Sequence, residues 1–146
     1  HHLINNDDQM MIANIDQIID IDIVDFINDA KNRKLDGNIL TFQADDKKWS
    51  YAKLNEDGYV IEVKEKEVIS NYATVGIYYY THGKDFVNAA IDMIIRNDRI
   101  NNEFYVCPTY NYAIAKKKKI GIYNIDSAKM HGIGTPEDLE IYLKTL

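Results

Sequence analysis

Two places in the sequence carry residues suited to chemistry. One is a carboxylate closing a mostly apolar run, Asp16 in "MMIANID" (10–16). The other is an adjacent carboxylate and ammonium, Glu65-Lys66, opening "EKEVISNYATVGIYYY" (65–80). Open α/β sheets bind ligands at the carboxyl ends of their strands, and a carboxylate there can hold Mg²⁺ next to a phosphate-bearing substrate. The same pattern suits a helix cap or loop carboxylate. Glu65 can accept hydrogen bonds from sugar hydroxyls and Lys66 can hold a phosphate as a point charge, or the pair can be the solvated end of a hairpin. Asp20, Asp22 and Asp25 fit caps and a helix surface, and His131 fits a loop or a ligand role. Gly132-Ile133-Gly134 lacks the third glycine and the preceding strand of a dinucleotide fingerprint. No Cys/His metal cluster, zinc-protease motif or nucleophile elbow is present.

The elements that must position these residues follow from periodicity. Residues 10–16 read as a buried strand with a polar C-terminal end. Residues 22–35 place Val24, Ile27 and Ala30 on one helical face, stopped by Asp36-Gly37. "NILTFQA" (38–44) is a strand, and "WSYAKL" and "YVIEVKEK" form a hairpin across Asn55-Glu56-Asp57-Gly58. "ATVGIYYY" (73–80) is a central strand in which Gly76 implies a bulge or close backbone approach. Residues 84–97 repeat Phe86, Val87, Ala90, Ile91, Ile94 and Ile95 as a helix packed on the sheet. In "EFYVCPTYNYAIAKKK", Pro108 either opens a helix or interrupts one. Residues 119–125 are a strand. In the last segment Thr135 can cap a helix, Pro136 fits its first position, and Glu137 and Asp138 suit the positive end of its dipole. The expected class is α/β, a mixed sheet flanked by helices with an inserted hairpin. No repeat, low-complexity tract or linker suggests a second domain, so 3–146 is read as one domain.

Composition narrows the function classes. A chain of 146 residues can bury roughly 68–70% of the surface its unfolded form exposes. One cysteine, Cys107, makes no internal disulfide and favours a reducing, cytoplasmic setting. No apolar run approaches the ~18 residues of a membrane span, and no signal peptide is visible. A net charge of −6 argues against a general nucleic-acid binder, and Lys116–Lys119 is read as a solvated turn. His1-His2 has the form of an affinity-tag remnant and is set aside.

Together, "IANIDQII", "ILTF", "WSYAKLNEDGYVIEVKEK", "SNYATVGIYYY" and "GIGTPEDL" follow in order a pattern that resembles the C-terminal part of the sugar-phosphate nucleotidyltransferases. This family includes glucose-1-phosphate thymidylyltransferase and related sugar-nucleotide pyrophosphorylases. The resemblance implies a Rossmann-like (GT-A-like) fold and the coupling of a sugar 1-phosphate to a nucleoside triphosphate. In that reaction the sugar phosphate attacks the α-phosphorus in line, pyrophosphate leaves and Mg²⁺ assists. It implies that Asp16 binds the metal, that Glu65 hydrogen-bonds the sugar, that Lys66 contacts its phosphate, and that Trp49, Ser50 and Thr74 line the sugar pocket. Where the thymidylyltransferases keep a second metal-binding aspartate, this sequence has Gly132. No glycine-rich nucleotide loop precedes Asp16.

The first expectation is therefore the sugar-phosphate-binding part of a nucleotidyltransferase serving polysaccharide or glycan synthesis. The chain is expected to be an incomplete or shortened domain, with little transferase activity alone and a nucleotide bound only if the missing segment is supplied. An unpaired sheet edge would favour self-association, which light scattering at micromolar concentration tests. The alternatives are a non-catalytic sugar-phosphate sensor or regulatory subunit, and an assembly module with a vestigial pocket.

Overall fold

The computed structural model describes residues 2–146; His1 of the tag-like pair lies outside them. The β-rich runs form eight strands among the described residues: β1 (Met10–Ala13), β2 (Gln17–Ile19), β3 (Gly37–Gln43), β4 (Tyr51–Leu54), β5 (Val60–Lys64), β6 (Tyr72–Tyr80), β7 (Ile120–Ile125) and β8 (Met130–Gly132). The helices are α1 (Ile23–Asn32), α2 (Gly83–Ile95), α3 (Thr109–Ala115) and α4 (Pro136–Leu143). Six strands make one sheet, ordered β5-β4-β6-β3-β7, with β1 also paired to β6. Only β3 and β7 run parallel; the other pairs are antiparallel. β2 and β8 form a separate antiparallel ribbon. The fold is α/β with a mixed sheet.

Side-chain alternation divides the core in two. On β6, Ala73, Val75, Ile77 and Tyr79 join Phe26 and Ala30 of α1, whereas Tyr78 and Tyr80 join Cys107, Tyr110 and Ala113 on the other face. Tyr110 stacks on Tyr80 with centroids 4.6 Å apart. Its hydroxyl donates to the Tyr79 carbonyl at 2.9 Å, and the Tyr80 and Thr109 hydroxyls meet at 2.8 Å. These partners offset the desolvation of the buried phenols.

The local start and stop signals act as their chemistry requires. The Asp22 side chain caps α1 by accepting from the Val24 N–H, and Thr135 caps α4 with Pro136 in its first turn. Pro108 opens α3 and does not interrupt it. The hairpin and the central position of β6 match the expectation from sequence.

Several expectations need correction. β1 is not a buried strand: it lies at the side of β6, so alternate residues Met11 and Ala13 face outward. In α1 the buried residues are Phe26 and Ala30 while Val24 is exposed, and the helix ends at Asn32, before Asp36-Gly37. Lys34, at φ 52°, supplies the left-handed residue after it. α2 packs chiefly on α3 and touches the sheet mainly at β6, where Phe86 meets Tyr80. Its buried side is therefore Val87, Ala89 and Met93, and Ile91, Ile94 and Ile95 are exposed. His131 is in β8 and not in a loop; the β2–β8 ribbon is invisible to periodicity because its three-residue strands are too short to show a repeat. In the basic run, Lys116 pairs with Asp92 at 2.6 Å and Lys118 with Asp85 at 2.8 Å. The protein's own acids thus occupy two of its four cations. Among the described residues, no helix is long and apolar enough to cross a membrane.

Candidate functional site

The site grows out of a gap beside β6. Along one side of this strand, β4 pairs only at Tyr51–Ala73, and β1 pairs from Ala13–Ile77 onward. Between them Thr74, Val75 and Gly76 are left at the wall of a cavity of about 480 Å³. The hairpin register sets Tyr51 opposite Lys64, and one step further along the ladder it sets Ser50 opposite Glu65. The Thr74 N–H donates to the Ser50 carbonyl at 2.8 Å. Glu65, Ser50 and Thr74 thus form a row across three neighbouring strands, their side chains on one face. The Ser50 hydroxyl donates to the Glu65 carboxylate, and the Thr74 and Tyr78 hydroxyls meet at 3.1 Å.

The bulge at Gly76 shapes the opposite wall. The Asn14 N–H donates to the Gly76 carbonyl at 2.9 Å. A Cβ on Gly76 would meet Asn14 Nδ2 at 2.5 Å, and the backbone there has φ +92°. Only glycine allows Asn14 to lie across the strand at this point. Two residues on, Asp16 enters the cavity, its carbonyl accepting from the Ile133 N–H at 2.9 Å. Asp16 Oδ2 lies 3.4 Å from where a Cβ of Gly134 would be, and Asp138 Oδ2 lies 3.9 Å from the corresponding point on Gly132. Asp138 sits in the first turn of α4, and its carboxylate lines the same cavity.

The third wall is the segment Phe104–Cys107, which leads into α3. It is tied to the edge strand β5 by Asn111: the Val63 N–H donates to Asn111 Oδ1 at 2.8 Å, and Asn111 Nδ2 donates to the Val63 carbonyl at 2.9 Å. The amide thus stands in for a further strand on an edge that would otherwise leave both groups unpaired. Asn111→Leu leaves a part-buried donor and acceptor without partners, so we expect a loss of about 2–3 kcal/mol in unfolding free energy, read from urea denaturation.

Charge in the cavity is mainly negative, from Asp16, Glu65 and Asp138, with Lys48 among the lining residues and its Nζ 5.0 Å from the centre of the Trp49 ring. Burial pushes the Cys107 thiol well above the usual range, and the charge on Glu65 adds to the shift. Burial likewise raises the Tyr78 phenol, helped by Cys107 and Glu65. Both are neutral side chains at the base of the cavity and offer no activated nucleophile. Native Cys107 is expected to react with iodoacetamide at pH 8 at least ~100-fold more slowly than the unfolded thiol, as followed by mass spectrometry with and without denaturant.

Asp16, Trp49, Ser50, Glu65 and Thr74 all line this one cavity. Lys66 stands at its rim. Its N–H continues the hairpin ladder to the Trp49 carbonyl at 3.1 Å, but its φ of 56° turns the chain outward, and Nζ reaches the Tyr105 hydroxyl at 3.1 Å. His131 lies outside, its Nε2 2.7 Å from Asp20 Oδ2. Asn14, Lys48, Phe104–Cys107 and Asp138 also line the cavity, and sequence reasoning does not find them. Asn14 carries a usable signal, two residues before Asp16 at a strand end. Asp138 is visible in the sequence only as a helix-start acid.

Asp16 and Asp138 are the carboxylates of this wall that could contribute to a Mg²⁺ shell. That ion takes one or two carboxylates and completes its shell with water and substrate phosphate oxygens, and two carboxylates flank the 132–134 segment here. No group of three or more His, Cys, Asp or Glu side chains gathers for a metal among the described residues.

No protein-family model matches the chain, and no curated protein matches it significantly. Solved structures do. A nucleoside-diphosphate-sugar pyrophosphorylase from Vibrio cholerae superposes with a TM-score of 0.79 at 24% identity, over 93% of this chain and 56% of the other. A protein described as a glucose-1-phosphate thymidylyltransferase from Bacillus anthracis, solved with sucrose, superposes with a TM-score of 0.74 at 21% identity, over 99% of this chain and 56% of the other. The chain thus spans little more than half the length of either protein. Over that span, its mixed sheet and helices have the fold of the sugar nucleotidyltransferases.

Proposed function

We propose that the cavity binds a sugar 1-phosphate together with Mg²⁺ and serves nucleotidyl transfer in nucleotide-sugar synthesis. The observation that carries this reading is the row Glu65–Ser50–Thr74 facing Asp16 and Asp138 across one cavity. A sugar presents hydroxyl donors and acceptors around an apolar ring face. Glu65, oriented by the Ser50 hydroxyl, accepts from two neighbouring hydroxyls, the Thr74 hydroxyl adds a donor or acceptor, and Trp49 offers an aromatic face. Lys48 in the lining and Lys66 at the rim are the cations within reach of a phosphate on the bound sugar.

Asp16 and Asp138 would hold Mg²⁺, which when bound neutralises phosphate charge as it builds up in transfer. In the reaction, a phosphate oxygen of the sugar 1-phosphate forms the new bond to the α-phosphorus of a nucleoside triphosphate. The bond from that phosphorus to the β-phosphate oxygen breaks, and pyrophosphate departs. No proton transfer to a protein nucleophile is needed; this chain's residues bind, orient and exclude water.

Calorimetry with hexose 1-phosphates tests the reading. Mg²⁺ is expected to strengthen binding, and Asp16→Asn to weaken the Mg²⁺-dependent part at least ~10-fold. Equal affinity for a hexose and its 1-phosphate, or binding indifferent to Glu65→Ala, would sink the proposal. Adding nucleoside triphosphate and measuring pyrophosphate separates transfer from binding alone, the latter being the sensor reading.

A further inference from the structure

The rim of the cavity contains an arrangement that binding of a sugar phosphate does not by itself require. The Tyr105 hydroxyl donates to Glu103 Oε2 at 2.6 Å and accepts from Lys66 Nζ at 3.1 Å. The same ammonium lies 5.1 Å from the centroid of the Tyr105 ring. Tyr105 is half-buried while Lys66 and Glu103 are exposed, and Tyr105 lines the cavity. The hydroxyl therefore engages one flexible ammonium at the mouth, and a carboxylate fixes the direction of the hydroxyl.

We propose that Tyr105 is a positioning residue that holds the Lys66 ammonium in place for the anionic end of the ligand; this rests on the sugar-phosphate reading of the cavity. An ammonium has three donors. One is directed at Tyr105, and two remain for phosphate oxygens without release of the first. A free lysine must give up substantial rotamer freedom when it meets an anion, and holding it beforehand removes part of that entropy loss. Lys66 makes this contact from a left-handed backbone, φ 56°, just beyond the last paired residues of the hairpin. Exposed ammonium and carboxylate groups meeting only each other would contribute little; here the hydroxyl is fixed from a partly buried wall.

Two measurements on the whole chain test this. In titrations with a panel of hexose 1-phosphates and the matching free hexoses, Tyr105→Phe is expected to weaken hexose 1-phosphate binding about 3- to 10-fold. Free-hexose binding stays unchanged, and in a Lys66→Met background the tyrosine change has no further effect. By ¹³C relaxation without ligand, the order of the Lys66 side-chain ε-carbon falls in Tyr105→Phe. Unchanged or tighter hexose 1-phosphate binding in Tyr105→Phe, with Lys66→Met still weakening it, overturns the positioning role alone. Failure of wild-type protein to bind any hexose 1-phosphate overturns the sugar-phosphate reading. In that case the ε-carbon order decides alone whether Tyr105 holds Lys66, and no change in it overturns the inference.

Discussion

Gly76→Ala is expected to lower unfolding free energy by about 2–3 kcal/mol and to abolish ligand binding in the cavity, the two effects coming from one cause. The residue sits at φ +92°, where an L side chain is strained, and its Cβ would overlap Asn14 Nδ2 at 2.5 Å and approach Asn14 Cγ at 3.0 Å. The backbone strain accounts for about 1–2 kcal/mol. Displacing Asn14 adds to it, because Asn14 both closes the β1–β6 ladder and lines the cavity. Gly58→Ala is the control. Gly58 also has positive φ, +82°, but nothing lies within 4 Å of its Cβ position, so only the strain, about 1 kcal/mol, is expected, with binding intact. Urea denaturation of both variants with a binding titration of each decides it. Equal losses for the two would show that crowding by Asn14 contributes nothing.

Lys66→Gly should weaken binding without a cost in stability. Lysine at φ 56° is in the left-handed region, which glycine adopts without a steric penalty. The lysine side chain meets the Tyr105 hydroxyl only at the exposed rim, so removing it costs the fold little. The melting temperature is expected to stay level or to rise by about 2 °C. Loss of a charged donor to phosphate should weaken hexose 1-phosphate binding about 10- to 100-fold and leave free-hexose binding as it was. The sign with pH follows from the charge. The Tyr105 hydroxyl, followed by the nearby negative charges, holds the Lys66 ammonium above its ordinary value, so the phosphate contribution of Lys66 persists through neutral pH and is lost only as pH rises past that raised value. A drop in phosphate affinity between pH 7 and 9 equal in Lys66→Gly and wild type would assign the drop to another group. A melting temperature several degrees lower in Lys66→Gly would mean that the interactions at the rim outweigh the strain.

How far these side chains are legible from sequence depends on how local their causes are. The hairpin 51–64, the caps at Asp22 and Thr135, and the irregularity at Gly76 depend on neighbouring residues, and turn chemistry and periodicity expose them. The Glu65–Ser50 pairing is not legible in this way: the turn alone would set Ser50 opposite Lys64, and a register shift between Lys53 and Leu54 moves the ladder so that Tyr51 faces Lys64 and Ser50 faces Glu65. The buried face of α2 is different, because an apolar helix stripe shows that something is covered and not by what. With α3 as the main neighbour of α2, the buried side is Val87, Ala89 and Met93, and Ile94 and Ile95 are left in solvent.

Local sequence was enough for the main strands, the caps at Asp22 and Thr135, the existence of the 51–64 hairpin, and the irregularity at Gly76. Each depends on steric or hydrogen-bonding demands within a few residues or across one tight turn. The register shift that aligns Glu65 with Ser50 was decided by the folded ladder. Packing of the whole chain was needed to bring Asp16 and Asp138, 122 positions apart in the sequence, into one cavity with Glu65, and to make Phe104–Cys107 its third wall. The same packing turns Lys66 to the rim against Tyr105. Those placements follow from seating α3 on the β5 edge and from the β2–β8 ribbon that carries α4 to the β1 end. Long-range contacts of this kind leave no period in the sequence, because the energy that fixes them comes from surfaces distant in the chain being buried together.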